Sequence, residues 1–177
     1  MATDELIPYP PHSQRGLVAR WVSWLASCGP LRSPLADTTG RFAGRHQPDD
    51  VFFLAGSLRG TVEREIKVPA GRTLFLPVIA IWAPAEVGLP VMGGADGSAL
   101  LDGTPLEISA IGTPTPFTIK GALGNPVTVR KDPAQRRCWG LFAQSEPLTP
   151  GTHELIVDGT DGADLKVGAR YRITVPA

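Results

Sequence analysis

The ten residues Thr73–Trp82, TLFLPVIAIW, constrain this chain more than any other segment, because odd and even positions alike are apolar. A strand shows its two faces alternately, so a run without a polar face has to be covered on both sides. Such a strand belongs inside a sheet that other layers enclose. The segment before it behaves differently. In Thr61–Val68, Val62, Arg64, Ile66 and Val68 share one face, while Thr61, Glu63, Glu65 and Lys67 share the other. That is the two-residue period of a half-buried strand. Pro69-Ala70-Gly71 turns the chain between the two.

Strand-sized runs recur at Val51–Ala55, Leu106–Ala110, Phe117–Lys120, Val127–Arg130, Cys138–Ala143, His153–Asp158 and Ala169–Val175. Turn signals separate them: Asp102-Gly103, Gly124-Asn125-Pro126, Pro150-Gly151, Asp158-Gly159 and Asp161-Gly162. With 20 Gly and 18 Pro spread through 177 residues without a period, short elements joined by turns are the expected texture. One segment breaks it. After Ser13, a good helix N-cap, apolar residues fall at Leu17, Val18, Trp21, Val22, Leu25 and Cys28, the spacing of one helical face. Trp24 widens that face, and Gly29-Pro30 ends it. The expected fold is therefore mostly β: a single antiparallel β-sandwich, jelly roll or barrel with one N-terminal amphipathic helix. Residues 1–12, with Pro8, Pro10 and Pro11, read as an extended arm, and residues 13–177 as one β domain that includes the helix. There is no internal repeat.

Lys+Arg and Asp+Glu both number 17, so no net field directs the chain toward nucleic acid or an anionic membrane. No apolar run approaches the length of a membrane-spanning helix. The N-terminus MATDELIPYPPHSQRG lacks the basic start and apolar core of an export signal, and Cys28 and Cys138 have no metal-type spacing. A cytoplasmic protein with two buried free thiols is the expectation.

The stretches ARWVSWLASCGPLRSPLADTTG and VFFLAGSLRGTVEREIKVPAGRTLFLPV, followed by LLDGTPLEISA, PLTPGTHELIVDG and GARYRITV, resemble an uncharacterised and mostly secreted bacterial family. Its members carry a Trp-rich helix, an NPL-DTTG loop, a WFLAG strand and a VPAGK-LFFP hairpin. The resemblance covers roughly residues 18–177, rests on structural motifs, and implies no established activity. Where secreted members have a pair of cysteines, the matching positions here are approximately Ala43 and Ile66. Where their hairpin strand runs on with polar residues, this chain continues as Leu76–Pro84 and then Val87–Met92, largely apolar.

Motifs of chemistry are scarce. There is no dinucleotide fingerprint, phosphate loop or nucleophile elbow. His12, His46 and His153 are scattered, so neither a metal site nor a cofactor is expected. Arg64 breaks a local rule, since its face is otherwise Val62, Ile66 and Val68. A buried guanidinium needs partners. It either clamps a carboxylate such as Asp37 or Asp102, or it faces a ligand as the catalytic group of the site. The expected ligand is an apolar small molecule held by Trp21, Trp24, Phe75, Ile79, Trp82 and Trp139, with the helix closing over the Phe75–Trp82 strand as a movable lid. A cofactor-free cyclase or isomerase would work in such a shell by holding a flexible substrate in a reactive conformation. The alternative is a non-catalytic binding or structural module, with carbohydrate or protein as its ligand.

Overall fold

The computed structural model describes residues 6–177. Its one α-helix, α1 (Gln14–Ala26), starts where Ser13 accepts a hydrogen bond from the Gly16 N–H at 3.0 Å. Ten strands follow: β1 (Val51–Phe53), β2 (Gly60–Lys67), β3 (Thr73–Pro84), β4 (Asp96–Leu101), β5 (Thr104–Pro105), β6 (Ile108–Gly112), β7 (Phe117–Ile119), β8 (Ala134–Gln144), β9 (Gly151–Thr160) and β10 (Lys166–Val175). They form two five-stranded sheets. The first runs β1-β3-β8-β6, with β7 also on β8, and the second runs β2-β10-β9-β4-β5.

Three sequence expectations need correction. Neither sheet is purely antiparallel, because β1 pairs with β3 and β2 with β10 in parallel. A parallel pair needs a long return path. Here the chain between β1 and β3 passes through β2 in the other sheet, which supplies it. Neither sheet closes on itself, so the fold is not a barrel. Residues Val127–Arg130 form no strand. The Asn125 carboxamide oxygen accepts from the N–H groups of Val127 and Thr128, and Val129 takes φ +65°, so a side-chain-built turn wins over local β-propensity. Conversely, β4 (DGSALL) carries weak strand propensity and forms because Asp96–Leu101 pairs along Leu155–Thr160 of β9.

Two apolar clusters explain why β3 has no polar face. On one side Phe75 and the partly buried Ala80 and Trp82 join Val18, Trp21, Val22 and Leu25 of α1. On the other, Leu74, Leu76 and Val78 join Leu155, Val157, Tyr171 and Ile173 of the second sheet. Ala43 and Ile66 sit in that second cluster. The alternation of β3 slips at a bulge between Pro77 and Ile79. There Val78 presses onto the second sheet so closely that a Cβ on Gly159 would lie 2.2 Å from the Val78 carbonyl oxygen. Glycine is required by contact, since any side chain would push the layers apart.

Of the expected N-terminal arm, residues 1–5 lie outside the described residues. The rest runs along β7, with the Leu6 carbonyl accepting from the Thr118 N–H at 2.9 Å. The Tyr9 hydroxyl donates to the Thr115 carbonyl and accepts from the Thr115 N–H, both at 2.7 Å. Cys28 and Cys138 are buried and unbonded to each other, and burial pushes the Cys138 thiol pKa far up. No described helix is long and apolar enough to cross a membrane.

Candidate apolar cleft at the edge of β3

β1 pairs only with Thr73–Phe75, so it leaves the edge of β3 after three residues. The chain then bends away through Ala55–Leu58 toward β2, and a cleft of about 220 Å3 opens where it departs. Its walls are Trp21 of α1, Leu35, the Gly56–Leu58 loop, Pro77–Trp82 of β3, Leu165 just before β10 and Val167 within it. None of the lining residues is ionisable, and Ser57 supplies the one hydroxyl, which donates to the carbonyls of Arg59 and Gly60.

The aromatic wall is built from the helix outward. The Trp21 indole N–H donates to the Leu54 carbonyl at 2.9 Å, which sets the ring's orientation. Its ring meets Trp82 edge-on at 6.1 Å and Phe142 at 5.4 Å, geometries that suit the quadrupoles of aromatic pairs. Of the residues expected to bind ligand, Trp21, Ile79 and Trp82 line this cleft. The other three are elsewhere. Phe75 is stacked on Phe142 at 5.2 Å inside the core. Trp139 points to the opposite face of β8 from Cys138, and its Cδ1 fills the space left by Gly112. Trp24 packs on Phe53, donates to the Arg45 carbonyl at 2.7 Å, and floors a separate open groove between the arm and α1.

That second groove holds about 790 Å3 and carries the charge the cleft lacks. Asp50 receives two hydrogen bonds from Arg20, at 2.6 and 2.9 Å, and has His12 at 3.3 Å. The Arg20 hydrogen bonds hold the Asp50 carboxyl below its usual pKa, against the opposing effect of burial. Arg20 thereby has its countercharge within the groove.

Arg64 lies inside, only 3% exposed, with the face assignment that its strand's alternation predicts. Its partners differ from those expected. The guanidinium donates to the carbonyls of Asp37 at 2.7 Å, Gly56 at 2.6 Å and Leu35 at 3.2 Å, and to the Tyr171 hydroxyl at 2.7 Å. It takes the main chain of Asp37 and leaves its carboxylate free for another task, and Asp102 pairs with His153 instead. Two of these carbonyls belong to residues of the cleft wall, Leu35 and Gly56. Arg64 therefore touches the cleft through the loops it holds and is a positioning residue for its shape.

The loop that Arg64 grips is rigid for local reasons. The Asp37 carboxylate accepts from the Thr39 N–H, the Thr39 hydroxyl and the Phe42 N–H, all within 2.9 Å. Burial would raise the Asp37 pKa, but these donors outweigh it and lower the value. Gly40 turns the chain at φ +94°, and a Cβ there would lie 2.4 Å from the Glu65 carbonyl oxygen. Sequence reasoning missed Leu35, the Gly56–Leu58 loop, Leu165 and Val167 as cleft residues. Only Gly56, at φ +75° against Pro77, left a signal, as a glycine just after a predicted strand.

The helix packs beside the Trp82 end of β3 through Trp21. Nine of its thirteen residues are buried. The exposed walls are Leu58, at 60%, and Ile81, at 38%, so the cleft opens between the Gly56–Leu58 loop and the edge of β3. Among the described residues no group of three or more His, Cys, Asp or Glu side chains is placed to hold a metal ion. Comparison with family models, curated proteins and solved structures produced no match.

Proposed function

We propose that this chain is a sandwich-like β protein that binds a small apolar molecule in the cleft between Trp21, Trp82 and the Gly56–Leu58 loop. The carrying observation is the cleft's lining, which is apolar or aromatic throughout apart from Ser57 and main-chain groups. A dry cavity of about 150 Å3 is enough for benzene. At about 220 Å3 the cleft suits a compact molecule of roughly ten carbon atoms and lies below the usual range for larger ligands.

Within this reading, a cyclisation or isomerisation is the reaction such a site favours, because confinement selects a reactive conformer without an acid or base. Arg64 would serve it by keeping Leu35 and Gly56 in place. The carbohydrate reading is less favoured, because Trp21 and Trp24 are buried and Trp82 and Trp139 are half-buried.

Titration with limonene, a cyclic ten-carbon hydrocarbon that absorbs little where tryptophan emits, tests the proposal. The expected result is a saturable shift in tryptophan fluorescence that Trp82→Ala largely removes while the variant stays folded. A linear, unsaturable response, or a Trp82→Ala variant that responds like wild type, would overturn it.

A further inference from the structure

The open edge of β3 has a directional hydrogen-bonding pattern that the apolar lining of the cleft does not use. Cys138 of β8 pairs with Trp82, yet its N–H donates to the Thr113 hydroxyl at 2.8 Å and its carbonyl accepts from the Thr113 N–H at 2.9 Å. Both Cys138 groups thus point away from β3. In an antiparallel ladder this makes Trp82 and Cys138 a pair without mutual hydrogen bonds, so the Trp82 N–H and C=O point out from the far edge of β3. Ala80, two residues earlier and beyond the bulge, does the same. Pro84 follows in phase but offers only a carbonyl. Beyond it the strand ends, where Arg137 donates to the Ala85 carbonyl. β1 and the loop after it cover the edge up to Pro77.

We infer that a second copy of this chain pairs with β3 through this edge, Ala80 of each copy bonding Trp82 of the other, with the two-fold axis beside Ile81. Three observations select a second copy. First, the available groups match themselves. Antiparallel pairing of residue 80 with residue 82 of the other copy uses both N–H and both C=O groups at each end, and it places Ile81 opposite Ile81 on the axis. Pro84 then falls opposite Val78, so the paired stretch coincides with the stretch that β1 leaves bare.

Second, the strand carries none of the charges that natural edges use against pairing. From Thr73 to Ala85 there is no ionisable residue. Along the edge, Leu58 is 60% exposed and Ile81 38%, apolar area of the kind that marks an association surface.

Third, the charges at the two ends of the edge are opposite. Arg59 follows the Leu58 wall beside Pro77, and Glu86 follows Pro84 at the other end. Both are exposed, and neither forms an ion pair among the described residues. Antiparallel pairing about Ile81 brings Glu86 of each copy to the Pro77 end of the other, toward Arg59. The first sheets of the two copies become one continuous sheet, and the joined strands border the mouths of both clefts. The assembly needs no bound ligand, so it stands or falls separately from the binding reading.

Sedimentation velocity on the full chain, from ~1 to ~100 μM without added ligand, tests the pairing over the range where such interfaces assemble. Wild type should sediment as a dimer at the upper end. Ala80→Pro removes an edge N–H that no described group uses, and should leave a monomer with unchanged far-ultraviolet circular dichroism. Arg59→Glu should weaken dimerisation about tenfold, and adding Glu86→Arg to it should restore most of the loss. The charge pair keeps the test decisive if the proline variant misfolds. A wild type that is monomeric throughout overturns the inference, including one that binds an extended apolar peptide at this edge. So does a folded Ala80→Pro variant that dimerises like wild type, or a double charge reversal without recovery.

Discussion

The outer edges of β2 and β3 are finished in opposite ways. Along β2 the chain covers its own edge: the Glu65 N–H donates to the Thr39 carbonyl at 2.9 Å, and Arg64 grips Leu35 and Asp37 from within. That strand also alternates charges, Glu63, Glu65 and Lys67, on its exposed face. Along β3, cover stops at Pro77, and the residues beyond it are uncharged. The difference teaches that covering an edge takes a dedicated loop with its own internal hydrogen bonds. Where no such loop is present, the edge and the cleft beside it remain accessible to a ligand or a partner.

The comparison breaks most visibly at Arg64. Arg64→Met leaves the carbonyls of Leu35, Asp37 and Gly56 without their donor, and should cost about 3 kcal/mol in urea unfolding. An unchanged midpoint would remove Arg64 from its role as the loop's anchor. Gly40→Ala comes next, since φ +94° and the 2.4 Å approach to the Glu65 carbonyl both oppose a side chain. It should cost about 2 kcal/mol by the same measurement.

One substitution made at both edges sharpens the contrast. Glu65→Pro deletes the N–H that holds the Thr39 loop and should destabilise clearly, whereas Ala80→Pro should change stability by under about 1 kcal/mol at concentrations where the chain is monomeric. Equal losses at the two positions would mean that the β3 edge is as engaged as the β2 edge.

The smallest effect belongs to His153, on β9 of the second sheet. Its Nδ1 lies 2.7 Å from the Asp102 carboxylate and its Nε2 lies 2.7 Å from the Thr149 carbonyl. Only the imidazolium donates to both, so the Thr149 carbonyl first and Asp102 second raise its pKa above 6.5. The Asp102 pKa moves below 3.8, because hydrogen bonds from the Glu154 N–H and His153 outweigh the effect of burial. A raised histidine contributes its stability fully below pH 6.5 and loses it as pH rises through the folded value. A lowered aspartate contributes above pH 3.8 and loses it as pH falls through the folded value. Unfolding free energy should therefore fall on the alkaline side by under about 1 kcal/mol, given how exposed Asp102 is, and His153→Gln should flatten that limb. A variant with the same alkaline slope as wild type would assign the loss to another group.

Several features were legible without coordinates. The Ser13 cap, the Asp102-Gly103 turn, the two covered faces of β3 and the inward side of Arg64 all follow from local chemistry and periodicity. The contacts of Arg64 were not legible. Apart from the Tyr171 hydroxyl it bonds to backbone carbonyls, and every residue has one, so no side chain advertised those partners. The second-sheet strand β4 was hidden for a related reason: its residues have little strand preference, and its pairing with β9 supplies what they lack.

The amino-acid pattern by itself determined which faces are buried, because side chains leave a sheet perpendicular to it and their polarity records what each face meets. Tertiary structure alone decided which edges are closed. Edges are made of main-chain N–H and C=O groups that lie in the plane of the sheet and are alike in all residues but proline. The apolar run Thr73–Trp82 thus announced a strand covered above and below. That its second half lies open along one side, beside a cleft shaped by Trp21, Trp82 and loops held by Arg64, came only with the fold.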